Sequence, residues 1–151
     1  MRDHLRAVDG GLSGGSGRGL IRAVLADGHA PLRRALRLLL DLEDDLEVVA
    51  EAGDLETAAR AVLAHRPDVL IVDVRMPDGW GAGRIRRLRA ECPSTGIVVI
   101  TMHLSALFAE RALDAGALGF VLKDTADQEL PTAVRRVARG QVYTSPRLRK
   151  T

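Results

Sequence analysis

The stretch "RPDVLIVDVRMP", residues 66–77, decides the fold. Pro67 stands where a preceding helix must already have stopped, and Val69–Val72 follows as an unbroken apolar run. In a strand, successive side chains point to opposite faces, so four apolar residues in a row describe a strand covered on both sides. Asp73 then ends the run. An acid at the end of a buried strand raises the question of what it serves.

Outward from this point the same pattern recurs. Short apolar runs at Ile21–Ala26, Leu46–Ala50, Ile97–Thr101 and Phe120–Leu122 alternate with stretches whose apolar residues fall at helical spacing. The helical stretches are roughly residues 32–42, 55–65, 83–91 and 106–115, with a last one ending near Arg139. Pro93 precedes the fourth strand as Pro67 precedes the third. Five βα units with doubly covered strands predict an α/β fold, an open doubly wound parallel sheet. Pro131 conflicts with its surroundings, because it removes an amide donor inside the last helix; that helix starts after Ala126 or is bent in its first turns.

The domain is expected to occupy residues 21–140. Residues 1–20, mostly glycine, serine and polar residues around "DGGLSGGSGRG", are read as a flexible tail. Residues 141–151 are read as a tail or linker, since Gly140 can stop the helix and Pro146 prevents its simple resumption.

Composition narrows the functional classes. The chain of 151 residues is 46% hydrophobic but only 3% aromatic, so its core is built from aliphatic side chains. All but two of the 22 basic residues are arginine, yet 20 acids leave a net charge of only +2, too little to argue for nucleic acid. The arginines at 84, 86, 87 and 89 leave Ile85 and Leu88 on another helical face and read as a solvated surface. Cys92 is the only cysteine, which excludes an internal disulfide. No run approaches the length of a membrane span and no signal-peptide core opens the chain, so a cytoplasmic protein is expected.

In open α/β sheets ligands bind beyond the carboxyl ends of the strands. There the sequence places Asp27, Asp73, Thr101 and Lys123. Two carboxylates, a hydroxyl and an ammonium suit a phosphoryl group carried on an aspartate. Such chemistry needs a divalent cation and positive donors against like-charge repulsion. Mg²⁺ would take oxygens from Asp27, Asp73 and a nearby backbone carbonyl.

At this point the sequence resembles the receiver domains of two-component response regulators, from Ile21 to about Pro146, and in particular those with a helix-turn-helix DNA-binding output. "RPDVLIVDVRMP" matches the phosphoacceptor motif at Asp73, with Arg75 at the position that offers Mg²⁺ its backbone carbonyl and Pro77 in its usual place. "VVITMH" matches the switch hydroxyl at Thr101. "DAGALGFVLKD" matches the switch aromatic at Phe120 and the phosphate-binding lysine at Lys123. The resemblance implies a flavodoxin-like five-stranded sheet of order 2-1-3-4-5, a histidine kinase as phosphodonor and no enzymatic role beyond self-phosphorylation and autodephosphorylation. It also implies a homodimer or output contact through the fourth helix, fifth strand and fifth helix. DNA would be reached only through an output domain that nothing after Pro146 is long enough to form.

One departure stands out. Family members carry two consecutive acids after the first strand, whereas here "ADGH" sets Gly28 where the direct Mg²⁺ ligand belongs. Metal affinity is expected to be weak. Asp78 in "MPDGWG" is read as a turn residue, His29 and His103 as loop residues rather than replacement ligands, and the glycines at 79, 81 and 83 as turn flexibility. Two functions follow: a phosphoacceptor receiver with reduced Mg²⁺ dependence, or a pseudo-receiver, a binding module set by a partner or ligand. A nucleotide- or flavin-binding protein is disfavoured, because no glycine-rich phosphate loop follows the first strand.

Overall fold

The computed structural model describes residues 19–73, 75–80, 82–102 and 106–149. The expected tail at residues 1–20 lies almost wholly outside them, as does His103. In chain order the elements are β1 (Ile21–Ala26), α1 (Ala30–Asp41), β2 (Leu46–Ala52), α2 (Leu55–His65), β3 (Val69–Asp73), β4 (Arg75–Met76), β5 (Gly79–Trp80) and α3 (Ala82–Glu91). They continue with β6 (Gly96–Thr101), α4 (Ala106–Asp114), β7 (Gly119–Leu122), a 3₁₀ turn (Lys123–Thr125), α5 (Ala126–Ala138), β8 (Tyr143–Thr144) and α6 (Pro146–Arg149).

The doubly wound sheet is as expected, with its strands ordered β2-β1-β3-β6-β7-β8 and every neighbouring pair parallel. Alternation along the strands feeds two separate cores. Val24, Ala26, Leu70, Val72, Ile97, Val99, Phe120 and Leu122 face α2, α3 and α4. Ala23, Leu25, Val69, Ile71, Val98, Ile100 and Val121 face α1 and α5. Gly96 and Gly119 let α5 approach closely: a Cβ at Gly96 would sit 2.5 Å from Val137 Cγ1, and one at Gly119 3.0 Å from Val137 Cγ2. Both contacts are tighter than ordinary side-chain packing.

Local chemistry explains the helix ends. Asp54 accepts the Thr57 N–H at 2.7 Å and caps α2, which closes on Arg66 in the left-handed region (φ 48°) directly before Pro67. Pro31 occupies the first turn of α1, where a missing N–H costs nothing.

Two expectations require correction. The last helix does not start after Ala126; it runs from Ala126 to Ala138 with Pro131 inside. Burial of Ala126, Leu130, Ala133, Val134 and Val137 on both sides of the proline outweighs one lost hydrogen bond. Residues 141–151 are not simply a tail, because β8 pairs with β7 and makes the sheet six-stranded rather than five-stranded. Its signal was short: Val142, Tyr143 and Leu148 are the few apolar residues of a polar segment, and only packing shows that Tyr143 and Leu148 are buried while Val142 is exposed. "MPDGW" turns the chain where a turn was read, as a hairpin in which β4 pairs antiparallel with β5 across Pro77 and Asp78.

Candidate functional site

Register brings the site together. Ala26 pairs with Val72, so Asp27 and Asp73 leave the sheet at the same level. Thr101 ends β6 opposite Leu122, and Lys123 follows on the next residue. Asp27 lies between the buried end of β1 and α1 and is only 1% exposed, as is Thr101. Phe120, 0% exposed, packs in the core on the α2–α4 side.

The Lys123 ammonium sits between the two carboxylates. Its Nζ donates to Asp73 Oδ2 at 2.6 Å and lies 2.7 Å from Asp27 Oδ2. The second contact is an ion pair, and Asp27 Oδ2 is otherwise buried without a hydrogen-bond donor. The remaining oxygens are held by the main chain: Asp27 Oδ1 accepts the His29 N–H at 2.8 Å, and Asp73 Oδ1 accepts the Arg75 N–H at 3.0 Å. Burial works against the ammonium most strongly, but its close contacts with the Asp27 and Asp73 carboxylates outweigh it and raise Lys123 above the ordinary lysine range. Two carboxylates thus share one ammonium.

These residues fit a hard divalent cation in kind. The under-donated Asp27 Oδ2 and the Asp73 carboxylate are the oxygens Mg²⁺ prefers, and it is commonly held by one or two carboxylates completed with water. No third acid joins them: among the described residues no group of three or more His, Cys, Asp or Glu side chains is gathered for a metal. At Gly28 a Cβ would lie 3.0 Å from Pro77 Cδ and 3.2 Å from Cγ. An acid there would require the proline ring to give by a few tenths of an ångström.

Asp78 does more than turn the chain. Its Oδ1 accepts the Leu55 N–H at 2.9 Å and its Oδ2 the Glu56 N–H at 3.1 Å, so the β4–β5 hairpin is tied to the N-terminus of α2. Those backbone donors hold its carboxyl below the usual range. Sequence reasoning missed this because the partner lies 22 residues away. Beside Asp27, Arg33 donates to the Asp27 carbonyl at 2.6 Å and to Glu51 Oε1 at 2.9 Å, bracing the β1–α1 corner.

Comparison with known proteins agrees with this arrangement. A family model described as the response regulator receiver domain matches residues 23–135. The oxygen regulatory protein NreC of Staphylococcus epidermidis is 38% identical over 129 residues, covering 85% of this chain and 59% of that protein. The chain thus spans about three fifths of the length of the curated relatives it matches. Among solved structures, a LuxR-family two-component response regulator from Aurantimonas sp. SI85-9A1 superposes with a TM-score of 0.83 at 31% identity, covering 87% of this chain and 94% of that one. The NarL signal receiver domain from Mycobacterium tuberculosis gives 0.77 at 34% identity, covering 81% and 98%. On the sheet order, the rim and the length of these matches, the chain belongs to the response regulator receiver domain family, with relatives of the NarL and NreC type.

Proposed function

We propose that Asp73 is the phosphoacceptor and that a sensor histidine kinase supplies the phosphoryl group. The observation that carries this reading is the Lys123 ammonium seated between Asp27 and Asp73 at 2.7 and 2.6 Å. Asp73 Oδ2 attacks phosphorus, the P–N bond of the phosphohistidine breaks, and the imidazole nitrogen leaves with the bonding pair. Lys123 turns from the Asp73 carboxylate to the transferred group's equatorial oxygens. Thr101, at the adjacent strand end, donates its hydroxyl to the same group. Phe120 then repacks within the core and reshapes the face of α4, β7 and α5.

Mg²⁺, held by Asp27, Asp73 and the Arg75 carbonyl, would neutralise charge on the transferring phosphoryl group when bound. Gly28 makes that hold weak. The chain acts on itself alone, as acceptor and later as the site of its own dephosphorylation. A second copy docking on α4, β7 and α5 would meet β8 at the edge of that face. DNA contact belongs to an output domain of the kind its longer relatives carry. No helix among the described residues is long and apolar enough to cross a membrane, and a cytoplasmic site of action fits that.

Incubation with a small phosphodonor such as phosphoramidate, with and without Mg²⁺, tests the assignment by intact mass. One phosphoryl adduct on the natural chain and none on Asp73→Asn is the expected result. No adduct on the natural chain, with an adduct on Gly28→Asp, would mean a binding module that has lost its phosphorylation.

A further inference from the structure

Another polar cluster begins one residue from Lys123, at the Leu122 N–H. Ser145, wholly buried, accepts the Leu122 N–H on its Oγ at 3.0 Å and donates its own hydroxyl to Glu129 Oε1 at 2.7 Å. Tyr143 donates to the same oxygen at 2.9 Å, and the Thr125 hydroxyl donates to Glu129 Oε2. Three hydroxyls therefore converge on one carboxylate. They come from the turn that carries Lys123 and from the C-terminal segment.

That segment wraps the edge of the sheet. The Tyr143 N–H donates to the Leu118 carbonyl at 3.0 Å and the Ser145 N–H to the Phe120 carbonyl at 2.9 Å, adding a strand to β7. Tyr143 then packs in the core on the α1–α5 side, while Leu148 packs in the opposite core beside Phe120. The strap thus touches β7 immediately before the lysine, at Phe120 through its carbonyl and at Leu122 through its N–H.

We propose that Glu129 and Ser145 are positioning residues that join the Lys123 turn to the strap of residues 143–149, so that the state of the acidic rim and the hold of the strap set each other. The functional form of this inference rests on the phosphoacceptor reading. When Lys123 follows a phosphoryl group, the backbone of residues 122–125 takes up the movement. Leu122 N–H, Ser145 Oγ and Glu129 are the bonds that movement strains. The coupling is reciprocal by linkage: whatever loosens the strap also shifts the lysine. A buried serine or tyrosine hydroxyl that loses its acceptor is costly, so the strap is held or released as a unit.

Hydrogen exchange read by mass spectrometry, on the full chain, tests this without requiring phosphorylation. Lys123→Met should speed exchange of residues 143–148 about fivefold or more relative to α2, and the phosphorylated natural chain should do the same. Glu129→Ala should loosen both residues 122–125 and 143–148, and Glu129→Gln, which keeps one acceptor oxygen for Ser145 and Tyr143, should restore most of the protection. Unchanged exchange at 143–148 in Lys123→Met, or equal loss in Glu129→Ala and Glu129→Gln, overturns the coupling. If no adduct forms on Asp73, the phosphoacceptor reading fails, and the Lys123→Met and Glu129 variants still decide the coupling.

Discussion

Two hubs flank the end of β7, and they are built oppositely. At the rim one ammonium faces two carboxylates; six residues later one carboxylate, Glu129, faces three hydroxyls. The Glu129 hub is matched in hydrogen bonds and joins the Lys123 turn to the C-terminal segment. At the rim two carboxylates share one ammonium, and Asp27 Oδ2 lacks a hydrogen-bond donor at 1% exposure. Buried groups short of partners are expensive, so the difference marks the rim, and not the Glu129 hub, as the place where the proposed phosphoryl chemistry would repay that cost.

The largest effect that could break this contrast is chemical. Asp73→Asn should abolish the phosphoryl adduct seen by intact mass, since the amide has no anionic oxygen to attack phosphorus. Retention of the adduct would move the acceptor elsewhere and sink the reading of the rim.

Lys123→Ala comes next. It leaves two carboxylates facing each other without their counter-ion and should destabilise the fold by about 3 kcal/mol in urea unfolding at neutral pH. Because Lys123 is held above its ordinary range, its contribution is fully present below the unfolded lysine value, about 10.4, and is lost as pH rises through the higher folded value. The natural chain should therefore show an alkaline fall in stability above about pH 10.5 that the variant lacks. A variant as stable as the natural chain would show that the rim carries no strain.

Restoring the missing acid sharpens the comparison further. Gly28→Asp should strengthen Mg²⁺ binding by about tenfold or more, read from the Mg²⁺ concentration that half-saturates phosphorylation. Gly28→Ala, which adds only the atom that presses on Pro77, should leave that concentration unchanged. Equal gains in both would assign the effect to the hairpin rather than to the carboxylate.

The smallest effect is expected away from both hubs. Arg135 bridges Glu43 and donates to Asp45 at 2.8 and 2.9 Å, but these groups are partly exposed. Arg135→Ala should cost about 1 kcal/mol or less in urea unfolding at low salt. The Arg135 hydrogen bond holds Asp45 below its usual range, so this contribution is present above about pH 4 and lost as pH falls through the folded value. A loss as large as that of Lys123→Ala would erase the distinction between surface and rim.

How much was legible beforehand follows from the range of each interaction. β1, β3 and α2 were readable because alternation and helical spacing repeat every few residues, and Pro67 and Pro93 punctuate them. Pro131 misled because local propensity opposes a helix that tertiary burial maintains. Asp78 looked like a turn residue because the amides it caps belong to α2. Tyr143, Ser145 and Leu148 gave no periodic signal in so short a segment, and their burial exists only once β7 offers an edge.

By itself the sequence determined the strand–helix alternation, the parallel sheet and the four polar residues at its carboxyl rim, because hydrophobic period and strand ends are local properties. The tertiary structure alone decided how Lys123 shares its charge between Asp27 and Asp73, how Pro77 leans on Gly28, and how the last residues close the sheet around Glu129. Each of those depends on register and packing between segments far apart in the chain, where a few tenths of an ångström decide whether a contact exists.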